Sequence, residues 1–572
     1  MKRLSVSIYI LAALSAVFTL MNISITPDIS FAALPISAVV TILYVWCGVF
    51  HLLKKTDAAK VGLFRKICEY LPFIFLAAFV LRRAGDQGTS HLFDLASVIL
   101  WALVAAADRV VLYFTKEKRL YRHIPAFEES SRKQDIVPVT GGRKVLRELF
   151  EWVDAFLQAA FMVSLIQIFI IQLYEIPSES MVPEFLVGDR VIVFKTASGP
   201  RFPLSDVGIP KMRSYNRGDI IVFRNPHYSR DRRSEVRTFV SQLVYMLSFT
   251  LINLNVDEYG QPKADPLVKR VTGVQGEQLV MVDGVLYRRT EQQPEFTPVD
   301  ETGWAAWDLN GITPEVKAGI QDIPLSPQDY DIMTAVERER RDMDLNMAAE
   351  EAKALAAEFA SLRQGLGLSR TGSSGELFTD SEQSVRNLFV SNDEVTRRLL
   401  TADGGAEWFE RFMTGWTEGL ANYGADMYED SMFRLNVLIK LTMGNLVVRN
   451  TQLMTEGVSA SRQSQDIGKM HHLAQAQRLD FYLYLNDRRN MPVFPAQGFI
   501  PENCFFMMGD NRFNSLDLRH SYKFRQIPVS QMDPVPVFYM TNMDPQYLPA
   551  SDILGTTVLR FWPLKRLGMP GR

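Results

Sequence analysis

Five long apolar runs fill the first third of the chain, at about Leu4 to Ile25, Phe31 to Leu53, Ile67 to Leu81, Leu92 to Phe114 and Leu149 to Tyr174. Most approach the roughly 20 residues that a helix needs to cross a bilayer, though the third is short. Basic residues alternate between the connecting loops. Lys2 and Arg3 precede the first run, the first loop has none, the second carries Lys54, Lys55, Lys60, Arg65 and Lys66, the third only Arg82 and Arg83, and the fourth a dense set from Lys116 to Arg147. The positive-inside rule then predicts a cytoplasmic N-terminus, and five spans carry everything after Tyr174 to the opposite side. The first run also has the form of a secretory signal, with Lys2-Arg3 before an apolar core and small residues near Ala13 and Ala16. Four spans behind it favour an uncleaved anchor. Asp108 and Arg109, inside the fourth run, are expected to be a paired or snorkelling couple near the membrane edge rather than an ion pathway.

Beyond Tyr174 the pattern is mixed. Arg190 to Phe194 and Ile220 to Phe223 read as strands, and Leu267, Val268 and Val271 predict a buried strand that ends in a turn at Gly273 and Gly276. The stretch from Arg270 to Gly509 is far longer than a strand connection needs. Leu355, Phe359, Leu362 and Leu366 recur there at helical spacing, Gly365 and Gly367 close the run, and Ser391-Asn392-Asp393-Glu394 reads as a capping box. Trp408, Phe409, Phe412 and Trp416 are expected in a core, and Thr371 to Gly375 as a flexible joint. One further apolar run, Phe239 to Leu254, contains Gln242 and Asn253 and follows Arg230, Arg232, Arg233 and Arg237. It is expected to lie at the lipid interface or inside the soluble domain rather than to cross.

Composition removes several classes of function. A net charge of -2 over 572 residues gives no electrostatic footprint for nucleic acid. Three cysteines, Cys47, Cys68 and Cys504, build neither a disulfide framework nor a Cys-rich metal site.

Candidate chemistry begins just after the fifth run, in Ile176-Pro177-Ser178-Glu179-Ser180-Met181-Val182-Pro183. From Tyr174 to Ser180 the chain reaches roughly 20 Å at most, so a reaction at Ser180 occurs at or just above the bilayer surface. If residues 176 to 181 are extended, Ser178 and Ser180 share a face and Glu179 points away. One hydroxyl can attack while the other donates to the developing oxyanion. Serine needs a base within hydrogen-bond reach. Among the histidines of the polar region, His227, His471, His472 and His520, only His520 lies in a dense charged cluster, which makes a Ser180, His520, Asp517 triad conceivable. The competing base is Lys269, on the predicted buried strand, where desolvation turns an ammonium into a neutral amine near pH 7. Lys269 and Arg270 are adjacent on that strand and face opposite ways.

Pro177 to Pro183, continuing through Leu186, Gly188-Asp189 and Val191 to Lys195, resembles the serine box of type I signal peptidases, also called leader peptidases. Arg217-Gly218-Asp219-Ile220-Ile221-Val222-Phe223, Lys269-Arg270 and Gly509-Asp510-Asn511-Arg512 are similar to their further boxes, in the same order. The resemblance implies a mostly β, coiled-sheet catalytic domain behind transmembrane helices, here with a helical insertion. It implies Ser180 as nucleophile, Lys269 as general base, and Ser178 with the Ser180 backbone N–H as the oxyanion hole, where one donor is typically worth about 3 to 4 kcal/mol. It further implies that Ser515 orients the lysine, that Asp517, Arg519 and Arg270 form a structural ion-pair set, and that Asp510 and Arg512 hold their loop. Ile176 and Val268 match positions lining shallow pockets for small residues at the first and third positions before the cut. No cofactor and no metal are implied.

The chain departs from the pattern at Glu179, where many members carry Gly, at Phe513, where Asp is common, and at Leu518, where Ser is common. The expected organisation is a membrane anchor over 1–145, a fifth span over 146–175, a first catalytic part over 176–309, an inserted helical subdomain over 310–490 and a second catalytic part over 491–572. The expected location is the bacterial inner membrane, with the catalytic domain on the extracytoplasmic side. Its expected partners are membrane lipid and exported preproteins emerging from the translocation machinery. Soluble self-cleaving regulators of the SOS-repressor type share the Ser/Lys dyad but need no spans. A catalytically silent membrane receptor or transporter is the non-enzymatic alternative.

Overall fold

A computed structural model describes residues 2–571 apart from 121–141, 368–376, most of 249–262 and of 456–495, and the short stretches 56, 58–59, 87, 117–118, 229–230, 307–310, 323–325, 423–425 and 513. The predicted joint at Thr371 to Gly375, together with His471, His472 and Phe513, lies outside the described residues.

The apolar runs are helices: α1 (Lys2–Met21), α2 (Ala33–Val45, continued to Lys54 as a π-helix), α3 (Val61–Ala84), α4 (His91–Phe114) and α5 (Gly142–Phe169). α1, α2 with its flanks, α4 and α5 are each long and apolar enough to cross a membrane. The third run is the apolar part of a longer helix, α3, which is not among the helices apolar enough to cross a membrane. α3 has 24 residues, which at 1.5 Å per residue is about 36 Å. Its charges, among them Lys66 and Glu69, lower its hydropathy, and it buries Phe64, Leu71, Phe75 and Phe79 inside the bundle. Asp108 is buried while Arg109 is exposed, and among the described residues no salt bridge joins them, so of the two expected forms the directly paired one is not seen. Residues 108 and 109 are successive on a helix, about 100° apart, and point to different neighbours.

One end of the bundle collects alternate helix ends. Arg82 donates to the Met21 carbonyl at 3.0 Å and pairs with Asp94 at 3.1 Å, and Arg83 pairs with the same carboxylate at 3.2 Å. The loop after the second strand docks on this end. Arg83 donates to the Leu204 carbonyl, Ser205 donates to Asp94, and the Phe202 ring meets Phe79, Trp101 and Phe169 from three helices.

Helix outweighs strand among the described residues, which corrects the mostly β expectation. The β structure is confined to the part that follows α5. Its strands are β1 (Ile171–Glu175), β2 (Arg190–Phe194), β3 (Ile220–Phe223), β4 (Leu267–Val274), β5 (Glu277–Val282), β6 (Val285–Thr290), β7 (Thr297–Pro298), β8 (Cys504–Met508), β9 (His520–Pro528), β10 (Phe538–Met543), β11 (Leu548–Pro549) and β12 (Ile553–Trp562). An antiparallel sheet runs β1-β2-β12-β3-β4-β8-β11, beside the hairpin β9-β10 and the small sheet β5-β6-β7. Register shifts along β12 against both neighbours bend the large sheet into a curl, the ordinary effect of bulges.

The run after Arg230 forms helix α6 (Arg232–Leu247), which packs on α3 with Arg233, Arg237 and Val240 exposed. It is not among the helices apolar enough to cross a membrane.

The long stretch between β7 and β8 is helical where described: α7 (Pro327–Arg341), α8 (Leu345–Gly365), α9 (Val385–Val390), α10 (Asn392–Thr401), α11 (Gly405–Thr414) and α12 (Met427–Thr455). α7 starts at a full capping box between Ser326 and Asp329, with Pro327 in the first turn, where its missing N–H costs nothing. Ser391 does precede α10, but its side chain makes no cap bond because it also ends α9. Trp408, Phe409, Phe412 and Trp416 are buried in the core of this region, as their spacing predicts. α12 is apolar enough to cross a membrane, yet 78% of its apolar window is buried inside the protein. It is the central helix of the insertion, and a helix enclosed on all sides is apolar on all sides.

Lys440 of α12 pairs with Asp533 at 2.5 Å, both fully buried, under the Phe412 ring. Asn436 donates to the same carboxylate, and this cluster ties α12 to the turn between β9 and β10. Lys440→Met is predicted to cost about 3 to 5 kcal/mol because it strands the buried Asp533 charge. Chemical unfolding followed by the fluorescence of Trp408 and Trp416 measures it; a loss under 1 kcal/mol contradicts the prediction.

Candidate active site

β1 leaves α5 directly, and its hairpin with β2 carries a long loop over 176–189. Ile176 N–H bonds Asp189 O at 2.8 Å and Gly188 N–H bonds Ile176 O at 2.9 Å, closing the loop at its base. Ser178 is extended, but residues 179–181 form one 3-10 turn, so the predicted continuous extension fails. The outcome for the side chains is nevertheless the expected one. Ser178 is exposed, Ser180 half-buried with its hydroxyl 3.3 Å from that of Ser178, and Glu179 is buried on the other side.

Lys269 comes to this loop from β4, in the middle of the curled sheet between β3 and β8. Its amine donates to Ser180 Oγ at 2.6 Å. The residue is 2% exposed, and desolvation lowers its pKa to about 8, against the opposing pull of Asp517 and the supporting push of Arg519. Among the described residues the amine makes no salt bridge. Lys195 is a useful contrast. Burial also lowers it to about 8, but it donates to the Gln167 carbonyl and the Gln172 side chain, with no hydroxyl to activate. Geometry, not titration, singles out Lys269.

The loop after β8 completes the arrangement. Asn511 donates from its side chain to Glu179 O at 2.9 Å and from its backbone to Ser180 O at 3.2 Å. Gly509 lies so close that a Cβ there would come within 2.3 Å of the Ser180 carbonyl oxygen and 2.2 Å of Ser515 Oγ. Ser515 donates to Asp517 at 2.8 Å. No hydrogen bond joins Ser515 to Lys269 among the described residues; the Ser515 proton goes to the buried Asp517 carboxylate.

The ion pairs regroup relative to expectation. Arg270 pairs in two-toothed fashion with Asp510, at 2.7 and 2.6 Å, rather than with Asp517. Asp517 is taken by Arg519, at 2.7 and 2.8 Å, and also accepts from the Gly509 N–H. Burial pushes the Asp517 carboxyl up, but Arg519 and His520 more than offset this and hold it well below the usual carboxylate range. Arg512 is held by Glu301, at 2.8 and 2.6 Å. Sequence reasoning missed Glu301 and gave no role to Asn511; Glu301 lies in a polar loop where nothing distinguishes it from a solvated acid. His520 is buried with its ring 4.0 Å from Asp517, and the described hydrogen bonds of Ser180 Oγ go to Lys269 and Ser178, not to His520. Ile176 and Val268 share one small apolar cluster with Met181, Phe185 and Ile220 beside the serine loop.

The sequence profile described as "Signal peptidase, peptidase S26" matches residues 149–313 and 439–562, both strands of this arrangement and half of the chain. The chain belongs to the S26 signal peptidase family. Signal peptidase I of Pseudomonas fluorescens is 31% identical over 132 residues, 23% of this chain and 44% of that protein. Signal peptidase I of Buchnera aphidicola is 41% identical over 71 residues (12% and 23%), and that of Pseudomonas aeruginosa 37% over 78 (14% and 28%). The chain therefore spans less than half the length of these curated relatives. Residues 314–438 lie outside the family match.

Gly509→Ala is predicted to force the serine loop or Ser515 aside and to cost about 1 to 3 kcal/mol, as overpacking generally does. Denaturant unfolding measures it, and an unchanged midpoint would show that the loop yields freely.

Proposed function

We propose that this S26 protein is a membrane-anchored endopeptidase that removes N-terminal signal peptides from exported preproteins with a Ser180/Lys269 dyad. The observation that carries the reading is the 2.6 Å contact between a buried lysine amine of depressed pKa and a serine hydroxyl, at the end of an apolar helix.

In the reaction, neutral Lys269 accepts the Ser180 proton as Oγ attacks the scissile carbonyl carbon. Ser178 Oγ and the Ser180 backbone N–H steady the oxyanion. Lys269 then gives its proton to the leaving amine, which departs with the mature protein. It next takes a proton from water as the water oxygen attacks the acyl ester, and returns that proton to Ser180 Oγ as the acyl group leaves. Ile176 and Val268 line the shallow apolar pockets that admit small side chains at positions -3 and -1. Asp510, Arg512, Arg270, Asp517, Arg519 and Ser515 support the loops rather than touch substrate.

Helices long and apolar enough to cross a membrane support a site beside lipid, and the loop charges favour a catalytic domain on the extracytoplasmic side of the bacterial inner membrane. Preproteins emerging from the translocation machinery are the partners this location suits. A silent receptor would have no use for a serine held against a desolvated amine.

Cleavage of a preprotein by the purified full chain tests the reading. Ser180→Ala and Lys269→Met are each predicted to lower the rate by about a thousandfold or more. Retained cleavage in either variant sinks the dyad, and loss of activity in a folded His520→Ala protein would revive the triad.

A further inference from the structure

Glu179 stands between the two serines, and its side chain turns into the protein. It is 6% exposed. One carboxylate oxygen accepts from the backbone N–H of Gln321 at 2.7 Å, while the other is buried with no hydrogen-bond partner among the described residues. Gln321 belongs to the segment that follows β7 and runs through the short helix Pro314–Lys317.

The same segment touches the serine loop at further points. Gly319 lies against Leu186, where an added Cβ would come within 2.5 Å of Leu186 Cδ1. Val182 and Leu186 of the loop and Ile312 of the segment share one apolar cluster with the core of the helical insertion. Asp322 accepts from Asn514 at 3.4 Å, so the segment also reaches the loop that carries Ser515. Everything from 314 onward in this segment lies outside the family match.

We propose that residues 312–322 are a strap through which the helical insertion positions Ser180, with Glu179 as the positioning residue. The 3-10 turn that carries Ser180 is held from one side by Asn511, through the carbonyls of Glu179 and Ser180, and from the other by the Glu179 carboxylate. Two anchors on opposite sides fix the turn; one alone leaves it free to pivot. Only one carboxylate oxygen carries the link, so an amide oxygen can replace it. The proposal rests on Ser180 as the nucleophile.

The test uses the full chain in lipid, with amide exchange of 178–186 and 314–322 read beside preprotein cleavage. In Glu179→Ala both segments are expected to exchange about tenfold faster or more, as a local opening does. kcat should fall roughly 10- to 100-fold with KM within about threefold, since small misplacements cost this much. Glu179→Gln should match the wild type in both readouts, whereas Glu179→Met, which keeps the bulk but has no comparable acceptor, should behave like the alanine variant; a methionine protein like the wild type would reduce Glu179 to filling space and overturn the strap. Unchanged exchange at 178–186 in Glu179→Ala, or a Glu179→Gln protein as impaired as the alanine variant, overturns the strap. If Glu179→Ala does not fold, Glu179→Met, which keeps the packing volume and removes the acceptor, carries the same expectations. If the wild type itself cuts no preprotein, the proposed reaction fails while the exchange readout still decides the strap.

Discussion

Burial of the Lys269 amine, with no salt bridge among the described residues, is the constraint on which the rest of the site depends. An ammonium taken out of water loses proton affinity unless a carboxylate compensates it. Two carboxylates are close enough to act on Lys269, Asp517 and Asp510, and each is already committed to an arginine, Arg519 and Arg270. Arg519 offsets part of the pull that Asp517 exerts on the lysine, so desolvation prevails. The cost of the two arginine pairs is that of all buried pairs, which stabilise little in net terms but punish the loss of one partner heavily. The ion-pair network is therefore best understood as electrical isolation of one amine, with loop support as its second effect.

Position follows from topology. β4 is central in the curled sheet, so Lys269 is presented from a rigid element, whereas Ser180 lies on a loop. If Ser180 is the nucleophile, as proposed, its loop must be held in place. Here the holding is divided among Asn511 behind the sheet, Gly509 by close approach, and Glu179 toward the insertion. The N-terminal helical bundle is joined to the β part through the Phe202 contacts and the direct passage from α5 into β1.

Much of this was legible in the sequence, and the legible parts share a cause. Apolar runs, the strands around Ile220 and Lys269 and the boxes carrying Ser180 and Lys269 are local patterns, and local patterns survive in a single chain. What was not legible depends on contacts between distant segments. Nothing near Arg270 says that Asp510 rather than Asp517 will take it, and nothing near Ser515 says that its proton goes to Asp517. Glu301 and Gln321 carry no local mark at all, since one is an acid in a polar loop and the other contributes only its backbone N–H. Apolar composition also misleads in one place: α12 passes every test of a membrane span by length and hydropathy, and it is apolar because the insertion folds around it.

The most direct measurement of the central claim is the pH dependence of kcat/KM for preprotein cleavage by the full chain. With Lys269 as a desolvated base of pKa about 8, the rate should rise about tenfold per pH unit below that value and level off above it. The sign follows from the need for the neutral amine. A rise that ends near the ordinary histidine value of about 6.5, or one that continues to the ordinary lysine value of about 10.4, would contradict the account.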